Sequence, residues 1–221
     1  MTDWEMKVHN FMCLNKFVKK GEIVFTGSSL CELFPINEML QNVEPRIRVY
    51  NRGIGGDVTD GLLERMDESI FDLEPKKVFI NIGTNDISRP EYKRERLMSQ
   101  YRKILMQIQA RLPETKIYVM SYYPVNRELP GADPEAVKAQ SASRQAWSRL
   151  KEIFANPQLE MISFTITEKG YALRDAKGAF FPFIQSDIDN GPDKAVSAMA
   201  VVAALLFERF NTCKAPLAVV S

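Results

Sequence analysis

Histidine is almost missing from this chain: 221 residues hold one, His9. Imidazole is the side chain that most often takes a proton at neutral pH, and a lone copy on a helix well before the first strand is not expected at a catalytic centre. Cysteine is scarce too. Cys13, Cys31 and Cys213 show no CxxC spacing and their count is odd, which excludes a disulfide framework and leaves them as reduced packing residues. Neither sign of charge dominates, with 29 Lys+Arg against 28 Asp+Glu, so no net basic charge is available to hold nucleic acid phosphates. Long apolar runs are absent: the most apolar stretch, Ala195 to Phe207, is 13 residues, too short to span a bilayer. The opening MTDWEMKVHN is acidic and lacks an apolar core, unlike a signal or transit peptide, and a cytoplasmic protein is expected. With no internal repeat, low-complexity stretch or linker, residues 1–221 read as a single domain.

What is present is organised around IVFTGSSL, Ile23 to Leu30. Ile23-Val24-Phe25-Thr26 runs into the small-residue turn Gly27-Ser28-Ser29, the pattern of a buried parallel strand ending in a tight turn. Such a turn holds a hydroxyl at the strand's C-terminal edge, where open parallel sheets bind ligands, and makes Ser29 the candidate nucleophile. The plainer alternative is a helix N-cap. Trp4 to Lys19 spaces Val8, Phe11, Met12, Leu14, Phe17 and Val18 as a helix, with Lys19-Lys20-Gly21 as its stop.

Further strands are predicted at Ile47 to Asn51, Lys77 to Ile82, Ile117 to Ser121 and Leu159 to Phe164. Between them lie a helix presenting Val58, Leu62, Met66 and Ile70, and a long helix with Leu97, Tyr101, Ile104, Leu105, Ile108 and Leu112 inward, closed by Pro113. Asp133-Pro134 opens another helix, and a last one begins near Pro192. Thr165 to Ser186 reads as irregular, with turns at Lys169-Gly170 and Lys177-Gly178. Strand and helix alternating five times predicts an α/β protein, a three-layer α/β/α sandwich on a five-stranded parallel sheet of order 2-1-3-4-5.

That order makes neighbours of three small-polar turns: Ser29 after the first strand, Gly53 to Gly56 after the second, and Asn85 after the third. Acyl transfer at a serine needs donors for the oxyanion of a tetrahedral intermediate. A glycine lets a backbone N–H approach closely and an asparagine adds a side-chain donor, roles that Gly56 and Asn85 fit. The glycines after the second strand also suggest a nucleotide-binding α/β protein, a reading that fits badly, because Gly53-x-Gly55 is followed by Val58 where the dinucleotide fingerprint needs a third glycine, and no Walker lysine follows any strand.

From Ile23 to Trp147 the chain resembles the SGNH, or GDSL-type, serine hydrolases, in particular their platelet-activating-factor acetylhydrolase-like members. FTGSSL resembles the first block, with Ser28 where Asp is usual, NRGIGGD the second and GTND the third. The resemblance implies a flavodoxin-like fold, a small-molecule ester substrate and no cofactor or metal. It assigns Ser29 as nucleophile, and Gly56, Asn85 and the Ser29 N–H as oxyanion hole. The oligomeric state is open, a homo-oligomer included.

The last block departs from the family, which carries Asp-x-x-His before its final helix. Here the chain reads Ser186-Asp187-Ile188-Asp189-Asn190-Gly191-Pro192-Asp193. One register puts Ser186 and Asp189 in the acid and base places, the other Asp187 and Asn190. Neither supplies an imidazole, and the segment reads more plainly as a helix start, with Asn190 or Gly191 as cap and Pro192 as first residue. The expectation is a serine ester hydrolase of impaired turnover, or alternatively a binding or interaction module on the same scaffold.

Overall fold

A computed structural model describes residues 1–41, 48–120, 159–167, 170–174 and 180–182. Five short apolar segments form the parallel sheet: β1 (Ile23–Gly27), β2 (Val49–Gly53), β3 (Lys77–Asn81), β4 (Lys116–Met120) and β5 (Leu159–Thr167). Their order is β2-β1-β3-β4-β5, as the alternation of elements predicts. Gly27 pairs in register with Gly53 on one side and Asn81 on the other, so three strands end at one level. Every residue of β1 is buried, as expected of a central strand covered on both faces.

The sheet continues past β5 into β6 (Gly170–Arg174) and β7 (Phe180–Pro182), both antiparallel. These fall in the stretch read from sequence as irregular. Strands this short carry little pattern of their own and form because the edge of β5 offers unpaired backbone groups. β5 ends at Thr167 paired with Gly170, where β6 begins, while Lys169 of the expected turn lies outside the described residues; Pro182 sits in β7, the outermost strand among the described residues, where a missing N–H is tolerated.

On one face Val24, Val78, Ile80, Ile117 and Val119 pack against Leu62, Met66 and Ile70 and against the stripe Leu97, Tyr101, Ile104, Leu105 and Ile108 of the long helix α7 (Arg94–Arg111). On the other, the register aligns Phe25, Phe79 and Tyr118, whose rings stack at 5.2 and 4.3 Å between centroids, with Phe34 at 5.9 Å from Phe25. Phe34 lies between α2 (Ser29–Glu32) and α3 (Ile36–Met39).

Two helices differ from expectation. The segment read as one helix from Val58 is broken into α4 (Thr59–Glu64) and α5 (Met66–Ser69) at Arg65. Helix α1 (Asp3–Asn15) starts in a Thr2–Glu5 capping box but buries no residue fully: Val8 and Phe11 are half-buried, and Met12 and Leu14 are exposed. It is held largely by polar contacts at its ends, Trp4 and Lys7 near the loops at the sheet's C-terminal edge and Asn15 on Arg52. The helices expected from Asp133 and near Pro192 lie outside the described residues, and so does the block from Ser186 to Asn190.

Candidate active site

At the end of β1 the backbone is pressed against β3: a Cβ on Gly27 would stand 2.0 Å from the Asn81 carbonyl oxygen, so only glycine fits. The Ser28 N–H donates to that carbonyl at 3.0 Å, and the chain turns into α2 with Ser29 as its first residue. Ser29 is half-buried, and among the described residues its N–H has no acceptor, as the first N–H groups of a helix ordinarily do not. Ser28 precedes the helix without making a side-chain cap, which removes the plainer reading of this turn for that residue. Two residues on, Cys31 is wholly buried and donates to Thr26 O at 3.4 Å; burial pushes its thiol up to about 12, so it is no rival nucleophile.

The loop after β2 comes against this turn, since a Cβ on Gly55 would lie 3.9 Å from Ser29 Cβ. Its Gly55 N–H donates at 2.7 Å to Glu32 Oε2, one turn along α2 from Ser29, and Glu32 Oε1 pairs with Lys7 at 2.9 Å. That N–H is therefore occupied. The next one, of the exposed Gly56 at φ +75°, has no acceptor among the described residues. Asp57 then turns inward: Oδ1 accepts from Val58 N at 3.0 Å and Trp4 Nε1 at 3.2 Å, and Oδ2 accepts from Arg65 Nε at 2.7 Å.

The third loop enters α6 (Thr84–Ile87) from β3. Asn85 Nδ2 donates to the Asp57 carbonyl at 2.8 Å, joining the third turn to the residue after Gly56. An asparagine amide carries two hydrogens, and this bond uses one. Asp86 accepts from Thr59 N at 3.0 Å and Thr59 Oγ1 at 2.5 Å, tying the same loop to the start of α4. Burial raises the Asp86 carboxyl above its ordinary value, against the opposing pull of the Thr59 bonds.

Ser29, Gly56 and Asn85 thus stand on three adjoining turns at one edge of the sheet, while Ser186, Asp187, Asp189 and Asn190 lie outside the described residues. His9 is exposed on α1, its Nε2 3.8 Å from Cys13 Sγ. Among the described residues no three His, Cys, Asp or Glu side chains group as a metal site requires, and no helix is long and apolar enough to cross a membrane. Sequence reasoning missed Glu32, Asp57 and Arg65 as parts of this site. Only the Asp ending NRGIGGD carried a signal, because long-range contacts to a carboxylate or guanidinium leave none in local pattern.

A profile of the GDSL-like lipase/acylhydrolase family matches residues 36–173. D-mannonate oxidoreductase of Thermotoga maritima is 47% identical over 87 residues, covering 39% of this chain and 16% of that protein. Human platelet-activating factor acetylhydrolase IB subunit alpha2 is 28% identical over 120 residues, 54% of this chain and 51% of the relative. The chain thus spans about half the length of the acetylhydrolase subunits it matches, and less of the oxidoreductase. Among solved structures, a Streptococcus pneumonia protein provisionally described as a platelet activating factor superposes with a TM-score of 0.65 at 24% identity, over 91% of this chain and 92% of that one. A GDSL-like lipase from Bacteroides thetaiotaomicron VPI-5482 does so at 0.58 and 16%, over 91% and 97%. At these identities the superpositions speak for the fold.

Proposed function

The chain belongs to the GDSL-like lipase/acylhydrolase family, and on that premise we propose that it hydrolyses small acyl esters through Ser29, with an oxyanion hole from the Ser29 and Gly56 N–H groups and the Asn85 amide. The observation that supports this most is the division of hydrogen bonds among the loops. Gly55 N–H is taken by Glu32 and one Asn85 hydrogen by Asp57, whereas Ser29 N–H, Gly56 N–H and the other Asn85 hydrogen have no acceptor among the described residues. Donors held in place and left unbonded are what a developing oxyanion requires, since they need no reorganisation when charge appears.

In this reading Ser29 Oγ attacks the ester carbonyl carbon as its proton passes to a base. The carbonyl oxygen becomes the oxyanion, and collapse expels the alcohol to leave an acyl-serine that water hydrolyses. The base is the weak part. Asp187 or Asp189 takes the proton in place of the histidine of the family's last block, and a carboxylate with a reference pKa of about 3.9 suits a serine hydroxyl poorly unless burial raises it. Loss of a triad histidine costs on the order of 10⁶ in turnover in a serine protease, leaving roughly 10³–10⁴ over water. Turnover is accordingly impaired. The missing imidazole also favours a second reading, an inactive binding or interaction module on the same scaffold. Hydrolysis of short p-nitrophenyl esters separates the two: the hydrolase reading requires slow release of nitrophenol that Ser29→Ala abolishes, and release unaffected by Ser29→Ala leaves the binding module.

A further inference from the structure

Arg65 has no task in the chemistry above, yet its guanidinium lies directly beneath it. The side chain is wholly buried at the break between α4 and α5. Its Nη2 donates to Gly27 O at 3.0 Å, the last carbonyl of the nucleophile's strand. Its Nη1 donates to Arg52 O of β2 at 2.8 Å and to Ser69 Oγ of α5 at 2.6 Å, and its Nε to Asp57 Oδ2 at 2.7 Å. Asp57 in turn accepts the Asn85 amide on its backbone carbonyl. Burial lowers the Arg65 pKa and the Asp57 carboxylate opposes that fall.

We propose that Arg65 is the positioning residue of the oxyanion site, a rigid planar fork that sets the spacing of the Ser29 turn, the Gly56 loop and Asn85. Satisfying the carbonyls does not explain it. Gly27 O already accepts from Ile54 N at 3.0 Å, Arg52 O from Thr26 Oγ1 at 3.1 Å, and Asp57 Oδ1 from Val58 and Trp4, so only Asp57 Oδ2 depends on the guanidinium for a partner. Stability alone explains it poorly, because a buried ion pair is often matched or bettered by apolar residues of similar volume. What the fork adds is one covalent unit touching both strand ends and the residue that carries Asn85. A lysine, a single point donor on a flexible stem, cannot reach all of them together.

The catalytic consequence rests on the hydrolase reading, so the test has two arms. In the first, Arg65→Lys, Asn85→Ala and the double variant are assayed with p-nitrophenyl acetate. Arg65→Lys lowers kcat at least about tenfold with KM within about twofold, and its further effect in the Asn85→Ala background is smaller than in the parent, because the part that runs through Asn85 is already lost. Full additivity in the double variant would overturn the proposal. The second arm needs no turnover: by NMR, the Asn85 side-chain amide of Arg65→Lys exchanges with solvent at least about tenfold faster than in the parent, while the amides of Val24 and Ile80 stay protected. Unchanged Asn85 exchange sinks the proposal whatever the first arm shows. If the parent has no Ser29-dependent turnover, the hydrolase reading fails and the second arm alone decides Arg65. Ser69→Ala, which takes one acceptor from Nη1, stands in should the lysine variant not fold, with the same pattern at reduced size.

Discussion

Asn85 Nδ2 donates one hydrogen to the Asp57 carbonyl, and the other has no acceptor among the described residues. Asn85→Ala is expected to lower ester hydrolysis by roughly 10²–10³ in a folded protein, the usual effect of one lost oxyanion donor. Steady-state rates alongside circular dichroism check it, and unchanged rates would reduce Asn85 to a turn residue. Cys31 makes a different prediction. Its thiol titrates near 9.0 when unfolded and at about 12 in the buried site. Between those values the unfolded chain has released a proton that the folded chain still holds, so stability present below about pH 9 is lost as pH rises toward 12. Urea unfolding from pH 9 to 11 should show a shallower alkaline decline in Cys31→Ala than in the parent, whatever the offset from the smaller side chain. At this scale the three small-residue turns that place Ser29, Gly56 and Asn85 could be read from sequence, because a β run ending in small residues is a local signal. Arg65 could not: a charged residue amid Leu62, Glu64 and Met66 reads as helix surface until the partners from β1 and β2 are known.

The elements owe their mutual placement to close approach at strand ends. Gly27 is the tightest point, and Gly27→Ala sets a methyl against a backbone carbonyl that cannot swing away. A loss of at least about 2 kcal/mol is expected, or about 4–8 °C in Tm for a chain of this size, checked by calorimetry. A variant within a degree of the parent would mean that β1 and β3 can separate without penalty. Strands β1 to β4 and helix α7 were legible because apolar runs and a 3.6-residue stripe are local signals. The break at Arg65 was not. There, bonds to carbonyls of two strands outweigh the helical continuation that Val58, Leu62, Met66 and Ile70 suggest. Helix α1 shows the converse: its spacing is helical, but polar contacts to Asp57, Glu32 and Arg52 decide which side meets the sheet.

For the molecule as a whole, the open matter is where the proton goes, because the residues proposed to take it lie more than 150 positions from Ser29 in the chain. If the block at Ser186 to Asn190 meets the Ser29 turn, restoring an imidazole there should restore turnover. Asp189→His with Ser186→Asp serves one register and Asn190→His beside Asp187 the other. One of the two is expected to gain at least about a hundredfold in p-nitrophenyl ester turnover, dependent on Ser29 and falling as pH drops through about 6.5. If both fold and neither gains, the base does not come from this block. By itself the sequence determined the α/β class, the order of the parallel strands and the three turns that carry Ser29, Gly56 and Asn85. Each follows from residues close together in the chain, through the apolar period, the small-residue turn and the alternation of elements. Tertiary structure alone decided which N–H groups find an acceptor among the described residues and which do not, and that a buried arginine joins two strand ends to the loop holding Asn85. Those outcomes depend on groups distant in sequence meeting out of water, where each donor must find an acceptor or be held ready for one.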